Sequence, residues 1–102
     1  MGNGEDEMKA YSIAVIDVKD QDGYMREYVP KVTKLIEAAG GKVLVRGGKT
    51  AGNPPPTGRV VVVAYDSLAK VEALVASAEW LELSKIGAKY ATVSAYAVEG
   101  VD

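Results

Sequence analysis

"RVVVVAYDSL", Arg59 to Leu68, is the stretch that decides the fold. The unbroken apolar run from Val60 to Tyr65, led by four β-branched valines, is a strand. Alternate side chains of a strand point to opposite faces, so this one is apolar on both. The run is far shorter than the ~20 apolar residues that span a bilayer. Asp66-Ser67 then supplies a helix N-cap, and Leu68, Val71, Leu74 and Val75 share one face of the helix that follows. Ser77 is a second N-cap, opening a further turn or two with Trp80, Leu83 and Ile86. "YATVSAYAVE", Tyr90 to Glu99, reads as a closing strand: Tyr90, Thr92, Ser94 and Tyr96 on one face, Ala91, Val93, Ala95 and Ala97 on the other.

Working back from Arg59, Gly47 to Gly58 holds four glycines and Pro54-Pro55-Pro56, a composition that suits a loop and neither helix nor central strand. "KVLVR", Lys42 to Arg46, is a short strand before it. From Tyr24 to Ala39 the residues Tyr24, Tyr28, Val32, Leu35, Ile36 and Ala39 recur at helical spacing, while Arg26, Glu27, Lys31, Lys34 and Glu37 take the other face. Pro30 removes a donor and clashes with the carbonyl of Arg26, which predicts a kink or two short helices meeting near Val29. Gly40-Gly41 stops the helix. "KAYSIAVIDV", Lys9 to Val18, is the first strand, with Ser12, Ala14, Ile16 and Val18 on one face and Tyr11, Ile13, Val15 and Asp17 on the other.

The order is strand, helix, strand, loop, strand, helix, strand, two βαβ halves that each place an aspartate after the first strand: Asp17 or Asp20, and Asp66. It predicts an α+β, ferredoxin-like βαββαβ sandwich, with a four-stranded antiparallel sheet and two helices on one face. Two helices cover one face only, and neither face of the sheet is polar enough for water. A second copy packed sheet on sheet, forming a dimeric α/β barrel, is the economical cover.

A chain of 102 residues supports one domain, burying roughly 60 to 70% of its unfolded surface. Residues 1–8 read as a disordered lead-in and residues 9–102 as the single ferredoxin-like domain; Met8 could equally be its natural start. Gly2 invites a myristoylation reading, but Asp6 stands where that signal wants Ser or Thr. Without a signal-peptide pattern the chain reads as cytoplasmic. A net charge of −2 with scattered Lys and Arg argues against nucleic acid as a partner. RNA binding on this topology uses strand aromatics that "RVVVVAY" lacks, and the chain has no Phe. With no cysteine and no histidine, thiolate and imidazole catalysis and His/Cys ligation of metal or haem are excluded, so no cofactor is expected. Gly47-Gly48-Lys49-Thr50 looks like the end of a phosphate-binding loop. Val43 stands where that loop needs its first glycine, however, and Pro54 to Pro56 follow where it needs a helix.

"AYSIAVIDV" leading to Asp20, Asp22 and Tyr24, then "GGKVLVRGG", "GRVVVVAYDSL", "SAEW" and the terminal "VEG", resembles the domain of unknown function 1330 family in the dimeric α/β-barrel superfamily. The resemblance runs from Lys9 to Val101, with Leu44 to Gly48 its most specific piece. It implies a ferredoxin-like protomer whose sheets pair around a cleft; the superfamily includes monooxygenases, isomerases and haem-binding enzymes. The chain departs from the family at Tyr65-Asp66, where Phe-Pro is usual. It departs again at Gly87, where an arginine is usual; if that arginine binds an anion in relatives, this chain has lost it or uses Lys85 or Lys89 instead. The haem-binding branches require an iron ligand, and no histidine is present.

Candidate site residues follow from residue chemistry. Arg46 either holds a carboxylate in the cleft through its planar fork or pairs with a neighbouring acid. Asp17 is the catalytic candidate, a carboxylate among Tyr11, Ile13 and Val15 suited to proton transfer, or else a solvated strand-end residue. Tyr11, Ser94, Tyr96 and Trp80 line a pocket or an interface. Tyr24 and Tyr28 read as edge-of-core residues. Two functions remain open: binding or conversion of a small organic molecule in a cleft without metal or haem, and a non-catalytic dimeric module whose cleft is filled by side chains such as Tyr96.

Overall fold

The computed structural model describes residues 8–101, so the expectations for residues 1–7, Gly2 included, fall outside it. The chain runs β1 (Ala10–Val18), α1 (Gln21–Gly23), a π-helical segment (Tyr24–Tyr28), α2 (Val29–Ala38), β2 (Lys42–Arg46), β3 (Arg59–Tyr65), α3 (Leu68–Ala76), α4 (Ala78–Gly87) and β4 (Ala91–Glu99). One antiparallel sheet forms in the order β2-β3-β1-β4, the α+β, ferredoxin-like arrangement predicted from the element order. No described helix is long and apolar enough to cross a membrane.

Local chemistry places each helix boundary. The Asp20 carboxylate accepts from the Gly23 N–H at 3.1 Å, starting the first helix at Gln21, three residues before the apolar periodicity begins. The break expected near Val29 takes a specific form: the N–H of Val29 reaches back five residues to the Tyr24 carbonyl. That wider turn accommodates the Pro30 ring, which a regular α-helix would press against Arg26. At the far end Gly40 is left-handed at φ 82°, and Gly41 N–H donates to the Ile36 carbonyl at 2.8 Å. Ser67 caps α3 by accepting from the Lys70 N–H. Ser77 serves two helices, donating to the last-turn carbonyl of Leu74 (2.7 Å) and accepting from the Trp80 N–H (3.2 Å), so the second crossover is a pair of helices, α3 and α4.

Register divides the sheet into unlike faces. On one, Ala10, Ile16, Val63, Tyr65 and Ala91 are buried beneath the helices. Ala10, Val63 and Tyr65 pack with Val71 and Leu74 of α3, bordered by Leu35, Ile36 and Trp80; Ile16 and Ala91 pack with Tyr24, bordered by Tyr28 and Val29. Small residues on β4 let α3 approach, as their alternation predicts. On the opposite face Ile13 lies between Val62 and Tyr96, Val15 between Val60 and Ser94, and Tyr11 between Ala64 and Val98. The helices gather on the first face, leaving this second one open.

Candidate functional site

The end of β2 is built by a bulge. Lys42 pairs with Ala64 and Val43 with Val63, but Val45 pairs with Val62 and Arg46 with Val61, leaving Leu44 without a partner. Strict alternation from Lys42 would put Arg46 on the open face; the extra residue returns it to the helix-covered face. There Arg46 lines a cleft of about 310 Å³ between α2 and β2, with Thr33, Ile36, Glu37, Gly41, Lys42 and Val43. Gly41 fits because it has no side chain: a Cβ there would stand 2.6 Å from Ile36 Cγ2 and 2.9 Å from Tyr65 Cε2. Thr33 donates its hydroxyl proton to the Val29 carbonyl at 2.7 Å, so toward the cleft its oxygen is an acceptor. Ile36 and Val43 supply apolar surface, and Lys42, Arg46 and Glu37 a charged rim.

A second cleft, of about 280 Å³, lies at the sheet end between β1 and the start of β3, lined by Ile16, Asp17, Val18, Gln21, Thr57, Gly58 and Arg59. Asp17 therefore borders a concavity, but a different one from Arg46. Tyr11, Ser94 and Tyr96 all belong to the open face: Tyr11 packs over Gly100, Ser94 flanks Val15, and Tyr96 is 63% exposed beside Ile13. Tyr96 fills neither cleft. Trp80 borders the core cluster of Val63, Tyr65 and Leu74. The predicted site residues are thus distributed over two clefts, the open face and the core edge.

Two features escaped the sequence reading. Arg59 borders the second cleft yet turns toward β2, and its only local signal was its position at a strand start. Gly87 lies against the Tyr28 ring, where a Cβ would come within 2.6 Å of Cε1, so a side chain at this position would have to displace that ring. Lys85 pairs with Glu82 at 3.5 Å on the surface, and Lys89 is exposed. Tyr28 stacks on Tyr24 with ring centroids 5.2 Å apart. Burial pushes Tyr28 up to about 12, aided by Tyr24; burial also raises Tyr24, against the opposing charge of Arg59, and raises Tyr65. These three phenols stay protonated near neutral pH and can donate hydrogen bonds, but they are poor bases. No group of three or more acidic side chains converges as a metal site among the described residues.

Comparison with known proteins adds the fold's relatives. A protein of unknown function from Rhodopseudomonas palustris, RPA0582, superposes with a TM-score of 0.74 at 14% identity, covering 94% of this chain and 85% of that one. SnoaB, a cofactor-independent oxygenase from Streptomyces nogalater, superposes at 0.61 and 6% identity, covering 93% and 95%. An EthD-like protein from Ralstonia eutropha gives 0.61 at 16%, covering 94% and 95%. At these identities the likeness is one of fold. No curated protein matches in sequence. A family model, in contrast, matches residues 9–101, nearly the whole of the described chain, and the chain therefore belongs to the family described as Domain of unknown function (DUF1330).

Proposed function

We propose that this protein binds a small organic molecule in the cleft between α2 and β2, and does so as a homodimer whose open sheet faces pack together. The observation that carries the ligand half is the cleft itself: about 310 Å³, apolar at Ile36 and Val43, with Arg46 turned into it by the bulge at Leu44. The dimer half rests on the open face, where Ile13, Val15, Val60 and Val62 lie uncovered beside Tyr96 and Val98, which are 63% and 49% exposed. A cofactor-independent oxygenase among the fold's relatives supports chemistry on organic molecules by this architecture.

A second reading is a dimeric module without a ligand, favoured by the separation of Tyr11, Ser94 and Tyr96 from both clefts. Native mass spectrometry of the chain, before and after exposure to a cell metabolite extract, separates the two. The expected result is a dimer that carries or gains a small-molecule mass. A dimer that gains none supports the module, and a stable monomer overturns the assembly shared by both readings.

A further inference from the structure

We infer that Arg46 and Arg59 form a two-guanidinium clamp for the carboxylate of a small organic acid, at the β2–β3 end of the helix-covered face. The inference rests on the cleft between α2 and β2 being the ligand site. Arg46 pairs with Val61, and Arg59 stands two residues before Val61 on the same strand, so all three share one face. Residues in that diagonal relation lie roughly 7–8 Å apart, within reach of two long side chains.

Arg59 lines the second cleft and reaches from there toward the end of β2. A Cβ built on Gly47 would stand 3.2 Å from Arg59 Nε and 3.7 Å from Nη2, so its guanidinium lies against the residue that follows Arg46. Gly47 serves twice here: it adopts a left-handed φ of 66° and leaves the space that Arg59 occupies. Its N–H donates to the Val60 carbonyl at 2.7 Å, fixing the end of β2 against β3.

Neither guanidinium is held by a carboxylate among the described residues. Among the described residues the ion pairs join Arg26 to Glu27 and Lys85 to Glu82, and no carboxylate comes within 4.0 Å of Arg46 or Arg59. Glu37 borders the cleft of Arg46 together with Lys42, and Asp17 borders that of Arg59 from the open-face side of β1. Planar forks match a carboxylate in bidentate fashion, and Ile36 and Val43 offer the apolar wall against which the rest of an organic acid would lie.

The test uses the full chain, isotopically labelled, with amide chemical shifts followed during titration with benzoate, benzamide and inorganic phosphate. Benzoate is expected to shift Thr33, Ile36, Val43 and Gly47 and to bind about tenfold or more tighter than benzamide; Arg46→Ala and Arg59→Ala should each remove most of that preference while the remaining spectrum stays folded. Equal binding of benzoate and benzamide, or unchanged affinity in both variants, overturns the clamp and leaves the cleft as a neutral-ligand site. Phosphate binding more tightly than benzoate at the same amides overturns the carboxylate assignment. Silence of the cleft amides toward all three probes at tens of millimolar overturns clamp and cleft together.

Discussion

Ile16 and Ile13 stand three residues apart on β1 and meet different fates. Ile16 is 8% exposed beneath the helices, between Arg59 and Val93; Ile13 lies on the open face between Val62 and Tyr96. The covered face is closed by its own chain, with every buried side-chain polar atom of the described residues satisfied. The open face is also largely apolar, with Ile13, Val15, Val60 and Val62, and no helix among the described residues covers it. One strand thus presents two unlike faces, one covered by folding and the other left, on the proposed dimer reading, for a second copy to cover.

Changes on the two sides should therefore separate folding from assembly. Leu74→Ala, in the cluster with Val63 and Tyr65, is expected to cost about 2 to 5 kcal/mol in chemical denaturation. A cost below about 1 kcal/mol would mean that the covered face is not the main core. Tyr28 gives a pH test of the same side. Its folded pKa of about 12 lies above the ordinary tyrosine value of about 10, so its contribution is complete below pH 10 and is lost as pH rises through 12. Stability should decline there by about 2 kcal/mol, after allowance for partial exposure, and Tyr28→Phe should flatten the decline. Ser77→Ala removes the cap shared by α3 and α4 and should cost about 1 kcal/mol, read as a shifted denaturation midpoint with unchanged slope. Tyr96→Ala should change the stability of the single chain by no more than about 0.5 kcal/mol, measured at a dilution that keeps it monomeric. Sedimentation should nevertheless show weakened self-association. If Tyr96→Ala instead matched Leu74→Ala in denaturation and left association intact, the distinction between the faces would fail.

What was legible in the sequence was local or periodic. The serine caps at 67 and 77 and the glycine stop at 40 act within a few residues, and each appears where its chemistry predicts. The break near Val29 was legible from Pro30, but its π-helical form was not, because that depends on which carbonyl the Val29 N–H finds. The candidate site was less legible still. Val43, Leu44 and Val45 are all apolar, so "KVLVR" cannot reveal which residue the ladder omits, and the face taken by Arg46 follows from that omission. The approach of Arg59 to Gly47 joins positions separated by the whole proline-rich loop. The sequence pattern shows both residues without showing that they meet.

The unpaired Leu44 also bears on how this edge tolerates changes in length. Deleting it would leave Val45 opposite Val62 and Arg46 opposite Val61, with every partnership of the strand as it stands. Adding one residue between Val45 and Arg46 would swing the arginine to the other side of the sheet. A single position in β2 is therefore dispensable while its neighbour admits no insertion, so an alignment gap at Leu44 would be silent and one a residue later would move the arginine between the cleft and the open face.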